Sequence, residues 1–162
     1  LRNEIYNFAR IGTFIERADN TSRILDVKYY VLLPSVSQVG SALDNFQWES
    51  ILRSVSGHRS YGWVYDGEYQ AGNIADFLIL QVQMPRSLAY CYDKIVSNLC
   101  YLETDYGQRH RAHDTADAIK AMLKRGSITE IMDHGLHEFL EDFVGRNNQL
   151  SAEISEGYRF YH

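Results

Sequence analysis

The feature that most constrains this chain is a long amphipathic stretch near its N-terminus, residues 2–33. Phe8, Ile15, Ser22 and Tyr29 recur every seven residues, and Ile11, Ala18, Leu25 and Leu32 fill the alternating steps of three and four. That pattern is one apolar or small-residue stripe on an α-helix, close to a bundle seam. A helix of this length spans about 45 Å at roughly 1.5 Å per residue, so shorter helices are expected to pack around it. A second stripe runs beside the first. Glu16, Asp19, Arg23 and Asp26 fall within about 80° of one another when each residue turns the helix by about 100°. Ile24, Val27 and Val31 lie on the far flank of that charged row. Charges set between apolar flanks are expected to be substantially buried, and buried charges must be paired. Arg10, Arg17 and Lys28 lie on the other side of the helix and are expected to face solvent or a partner.

The remaining chain also punctuates as helices. Pro34 disfavours helical geometry for the residue before it and is expected to end the first helix at Leu33. Asp44 is expected to open the second, forming a capping box with Gln47, with Leu43 and Trp48 at the staple positions. Trp48, Ile51, Leu52 and Val55 make its apolar face, and Gly57 ends it. Residues 58–72 are irregular and hold Tyr61, Trp63, Tyr65 and Tyr69. Those rings either cover helix ends or offer a stacking platform to a sugar or base. Asn73 is expected to cap a helix over residues 74–83, and Pro85 to be the first residue of the next. That next helix carries Leu88, Tyr92, Ile95, Leu99 and Leu102 and stops at Gly107. A further helix covers residues 109–125, after which Ser127 and Glu130 form a second capping box. Leu136, Leu140, Phe143, Leu150, Ile154 and Tyr161 line the last helix, with Gly135 and Gly145 as places for a bend. The fold class is therefore all-α: a single domain over residues 1–162, a bundle of about six helices around a long N-terminal one, with the last helix running beside it.

Several functions are disfavoured. A formal charge of −5 provides no electrostatic footprint for nucleic acid or an anionic membrane. No apolar run approaches the roughly 20 residues of a spanning helix. Cys91 and Cys100 are nine residues apart, on opposite faces of one helix, and cannot bridge each other. Two reduced thiols, buried as small hydrophobes, fit a cytoplasmic location. His110 and His113 lie near Asp114 and Asp117, and His134 and His137 near Glu130 and Glu141, but neither group has di-iron or zincin spacing. No metal or cofactor is expected, since phosphate-binding, dinucleotide-binding and nucleophile-elbow motifs are also missing.

What remains is the charged row. Asp19 and Arg23 are four apart and Arg23 and Asp26 three apart, both favourable helix spacings. Buried, such a network fixes helix register, or it does general acid–base work or binds a polar ligand. Glu16, Asp19, Arg23 and Asp26 are accordingly the candidate catalytic residues.

The segment Phe8-Ala-Arg-Ile-Gly-Thr-Phe-Ile-Glu-Arg-Ala-Asp-Asn-Thr-Ser-Arg-Ile-Leu-Asp-Val-Lys-Tyr-Tyr30 resembles the signature helix of the bacterial alpha-E domain family. The similarity continues through Leu43-Asp-Asn-Phe-Gln-Trp-Glu-Ser-Ile-Leu-Arg-Ser-Val-Ser56, Ala75-Asp-Phe-Leu-Ile-Leu80, Pro85-Arg-Ser-Leu88 and Gly135-Leu-His-Glu-Phe-Leu140. Full-length members carry a further N-terminal portion with a related Glu-Arg-Ala helix, so a chain opening on Leu1 reads as the C-terminal part of such a protein. Alpha-E proteins are encoded beside circularly permuted ATP-grasp ligase-like proteins, often with a transglutaminase-like peptidase and sometimes a proteasome-like one. The resemblance therefore implies an accessory or binding component of a bacterial, cytoplasmic system that forms amide or peptide bonds. The alternative is an enzyme that acts on an amide or peptide through the charged row. On this reading Arg17, Asn20, Lys28, Trp48 and Arg86 are the ligand- or partner-binding candidates. The partners are the ligase-like protein and the peptidase, with self-association a further possibility and neither nucleic acid nor membrane expected.

Overall fold

A computed structural model of the chain describes residues 3–31 and 39–160. The described residues form eight α-helices: α1 Glu4–Asp26, α2 Ala42–Ser54, α3 His58–Val64, α4 Ala71–Ile79, α5 Leu88–Tyr106, α6 Arg111–Arg125, α7 Ile128–His134 and α8 Leu136–Gly157. A π-helical turn, Val27–Val31, continues α1. The expected end at Leu33 and Pro34 lies outside the described residues, as do Leu32 and Tyr161. No strand occurs among the described residues, and none of their helices is long and apolar enough to cross a membrane.

Helices α1, α5, α6 and α8 form a four-helix bundle: α1 packs on α5, α5 on α6, α6 on α8, and α8 back on α1. The long first helix is part of the core as expected, and α8 runs along it. Its more extensive partner, however, is α5. The reason is the depth of α5's buried face, where Leu88, Ala89, Cys91, Tyr92, Ile95, Asn98, Leu99 and Leu102 are all inside. Polar side chains set the register of these helices. Buried Asn147 of α8 donates Nδ2–H to the Ile15 carbonyl at 3.1 Å and accepts the Tyr92 hydroxyl at 2.8 Å, joining three helices at one point. Buried His113 places Nε2 3.1 Å from the Leu99 carbonyl, which ties α6 to α5.

Several boundaries differ from the expectation because a better cap stands nearby. Helix α2 is capped by Ser41, whose hydroxyl accepts from the Asp44 amide at 3.2 Å, and not by Asp44. Leu43 is exposed, so no Leu43–Trp48 staple forms. Pro85 lies before α5, whose N-cap is Ser87; that hydroxyl accepts from the Tyr90 amide and donates to the Gln81 carbonyl. Serine outranks proline there because it satisfies an otherwise orphaned amide. Asn73 lies inside α4, which begins two residues earlier and ends at Ile79. Ser127 precedes α7 but makes no side-chain cap bond. Gly107 does close α5, at φ +66°, and Gly135 at φ +113° separates α7 from α8. Both angles favour glycine.

The aromatic stretch is helix α3 and the loop after it. Tyr61 is fully buried, and Tyr65 and Tyr69 stack on it at 5.0 and 6.1 Å between ring centroids. These rings cover one another and leave no open platform; Trp63 alone points outward, 84% exposed. Both cysteines are free. Cys91 is buried, and desolvation pushes its thiol up to about 12 against the opposing pull of Arg17 and Arg86. Cys100 is exposed, so the small-hydrophobe role applies to Cys91 only.

Candidate functional site

The core stripe of α1 is Asn7, Ile11, Phe14, Ala18, Thr21 and Leu25, with Ser22 beside it. Ile11, Ala18, Ser22 and Leu25 keep their expected places, but Asn7, Phe14 and Thr21 are inside where Phe8 and Ile15 are only half-buried, so the buried face is rotated by roughly half a residue. That rotation carries Lys28, seven residues beyond Thr21, into the interior, and it carries the Glu16–Asp26 row outward. The expected burial of the row is therefore wrong. Glu16 and Arg23 are exposed, while Asp19 and Asp26 are half-buried.

The row also divides. Arg23 Nε donates to Asp19 Oδ2 at 2.7 Å, with side-chain exposures of 61% and 25%. Hydrogen bonding to Asp19 raises the Arg23 pKa. The other oxygen, Asp19 Oδ1, is buried with no hydrogen-bond partner among the described residues. Asp26 meets His137 of α8, Oδ1 to Nδ1 at 2.7 Å, and forms no ion pair with Arg23 among the described residues. On its other side His137 Nε2 lies 3.7 Å from Glu141. The Asp26 bond raises the His137 pKa above its ordinary value, against a smaller opposing effect of desolvation. Glu16 joins neither pair.

Between α1 and α8 these residues border a groove of about 340 Å³. Ser22, Arg23 and Asp26 line one wall, and Leu140, Glu141, Val144, Gly145 and Asn148 the other. Among the described residues Arg23 commits only Nε, which leaves its terminal nitrogens as a fork for a carboxylate or phosphate. The carboxylates of Asp26 and Glu141 provide the opposite charge. A serine nucleophile is not part of the arrangement: the Ser22 hydroxyl is buried and donates to the Ala18 carbonyl at 2.8 Å. The groove presents charges of both signs along its walls.

Lys28 and Trp48, expected at a ligand or partner surface, are brought together but sealed. Lys28 is 1% exposed; its Nζ donates to Asp44 Oδ1 at 2.6 Å and Gln47 Oε1 at 2.8 Å, and lies 4.8 Å from the Trp48 ring. Asp44 Oδ2 accepts the Gly40 amide at 3.0 Å. Burial raises the Asp44 pKa, but the bonds from Lys28 and Gly40 outweigh it and hold the carboxyl below its ordinary value. Gln47, expected to complete a capping box, serves Lys28 instead. Tyr29 packs edge-on to Trp48 at 5.2 Å and donates to the Ala71 carbonyl. This cluster joins the end of α1 to α2 and α4.

Arg17 and the backbone of Arg86 both belong to the junction between α1 and the turn before α5. Arg17 Nη1 donates to the Pro85 carbonyl at 3.1 Å, its guanidinium lies 5.1 Å from the Phe14 ring, and Thr21 donates to the Arg86 carbonyl at 2.8 Å. Asn20 is exposed. The candidates thus fall into separate places, and the sequence reading missed the residues that complete them. His137 stood among the histidine–carboxylate clusters, but nothing linked it to Asp26, 111 positions away. The local spacing around Asp44 signals only a cap and carries no sign of Lys28, 16 positions away. Among the described residues no group of three or more His, Cys, Asp or Glu is placed to hold a metal ion.

The Alpha-E family model, described as a predicted alpha-helical domain with a conserved ER motif, matches residues 1–158, so this chain belongs to that family. The sequence contains one Glu-Arg dipeptide, Glu16-Arg17. Its glutamate lies in the exposed charged row, and its arginine anchors α1 to the turn before α5. No curated protein and no solved structure matches the chain.

Proposed function

We propose that this Alpha-E domain is an accessory, binding component of an ATP-grasp-linked system that forms amide or peptide bonds in the bacterial cytoplasm. Its working surface is the α1–α8 groove, and its partners are the ligase-like protein and the transglutaminase-like peptidase. The observation that carries this reading is the open groove beside Arg23, which pairs a guanidinium with spare donors and the carboxylates of Asp26 and Glu141. Amino acids and peptides present charges of both signs at their ends, as does a ligase that handles them. The link to the ligase rests on the resemblance of the signature helix.

The test is co-purification of the full-length protein with the co-encoded ligase-like protein, followed by assay of ADP release with ATP and amino acids. A stable complex is expected, whose turnover falls when Arg23→Ala or Asp26→Asn is introduced without loss of fold. No complex, together with turnover indifferent to both changes, would overturn the reading.

One observation favours a second reading, an enzyme acting on an amide or peptide. An imidazole oriented by a carboxylate, as His137 is by Asp26, can move a proton. Peptide hydrolysis by the domain alone, abolished in His137→Asn, would select the enzyme over the binding component.

A further inference from the structure

Helix α4 is apolar almost all the way around, with Ile74, Ala75, Phe77, Leu78 and Ile79 buried. Asp76 is the one charged residue in that run, and a carboxylate against an apolar element costs desolvation free energy unless its charge is met. Its Oδ2 accepts a hydrogen bond from the Tyr65 hydroxyl. That donor is neutral, and no cation pairs with Asp76 among the described residues.

Asp76 opens into a cleft of about 670 Å³ between α4, α5 and α6, about twice the volume of the groove beside Arg23. Leu80, Val82, Ala89 and Leu123 give it an apolar lining. Three more charges stand at its walls, and two of them are paired: Asp93 accepts from Lys120 at 2.9 Å and also from Lys94 at 3.2 Å, bonds that hold its carboxyl below its ordinary value. Lys124, in the last turn of α6, is exposed and has no carboxylate partner among the described residues. Two uncompensated charges of opposite sign therefore border one apolar cleft, whose volume lies within the roughly 300–1,000 Å³ of small-molecule sites.

We propose that this cleft is a ligand site, distinct from the α1–α8 groove, for a small zwitterion with an apolar middle. The ligand's ammonium group meets Asp76, its carboxylate meets Lys124, and its apolar part covers Leu80, Ala89 and Leu123. The Asp93–Lys120 pair stays intact at the wall.

The probes are ω-amino acids of increasing chain length, from γ-aminobutyrate through ε-aminohexanoate to the eight-carbon homologue. They are titrated into isotope-labelled protein and followed by backbone amide shifts. Hexanoate and hexylamine, each lacking one charge, are the controls. Saturable shifts confined to residues 76–82, 89–93 and 120–126 are expected, with the best-fitting probe binding at about 1 mM or tighter and both controls roughly tenfold weaker. Lys124→Gln, an exposed change that leaves the fold intact, should weaken that probe about tenfold. Asp76→Asn should do the same if its spectrum elsewhere is unchanged, and Lys124→Gln decides alone if Asp76→Asn does not fold. Equal binding of the controls, shifts scattered over the surface, no binding of any probe below about 10 mM, or indifference to Lys124→Gln would overturn the proposal.

Discussion

Arg23 and Lys28 are cations on the same continuous helical segment, five positions apart, and each meets a carboxylate at hydrogen-bond distance: Arg23 Asp19 at 2.7 Å, Lys28 Asp44 at 2.6 Å. The first pair lies within one helix, with its guanidinium side largely in water and Asp19 half-buried. The second joins two elements and is closed off, with Gln47 and the Trp48 ring completing the shell around Nζ. A local pair in water gains little, because solvent screens it and both side chains lose freedom in holding it. A sealed pair between elements has already lost its hydration, so each partner depends on the other. Charge on this helix therefore has two roles, holding the fold where it is enclosed and presenting a surface where it is open.

The largest expected effect comes from breaking the enclosed pair. Lys28→Ala leaves Asp44 buried without a counter-charge and should lower stability by about 3–5 kcal/mol, read from the urea midpoint. The double change Lys28→Met with Asp44→Leu should recover much of that loss, since neither charge is then stranded. If Lys28→Ala unfolds like the parent, the contrast between the two pairs fails.

Next in size is the uncharged pin in the bundle. Asn147→Ala strands the Tyr92 hydroxyl and removes the Ile15 contact, at an expected cost of about 1–3 kcal/mol. The double change with Tyr92→Phe should be less than additive, because both act on one bond. Strict additivity would remove Asn147 as the junction of α1, α5 and α8.

Smaller effects separate the two regions by pH. Asp44's carboxyl is lowered in the fold, so its contribution is present above the ordinary carboxylate range and lost as pH falls through its folded value. His137 is raised, so its contribution is complete below about 6.5, the ordinary histidine value, and is lost as pH rises through the folded one. Unfolding followed across pH should show the acid-side loss shrink in the Lys28→Met, Asp44→Leu double variant, with the remainder including Asp93, and the loss above neutrality shrink in His137→Asn. A neutral-range loss that survives His137→Asn belongs to another group.

The smallest effect on stability is at the open pair. Arg23→Ala should leave thermal unfolding close to that of the parent, while reducing any activity that depends on the α1–α8 groove. A large drop in melting temperature would show that Arg23 carries structural weight despite its exposure.

The sequence by itself determined the all-α class, the membership of α1 in the core, the apolar faces of α5 and α8, and the stop at Gly107. These follow from periodicity and backbone permissiveness, which are local properties. It also placed Glu16, Asp19, Arg23 and Asp26 correctly as one row on a helix. Tertiary structure alone decided which way that row faces. Phe14 and Thr21 are as compatible with the inward side as Phe8 and Ile15, so the helix phase was ambiguous by roughly half a residue until α5 and α8 packed against α1. That rotation sent Lys28 inward to Asp44 and left Arg23 outside. The pairs that complete each site, His137 with Asp26 and Asp44 with Lys28, come from separate elements, and their meeting depends on how those elements pack rather than on local spacing.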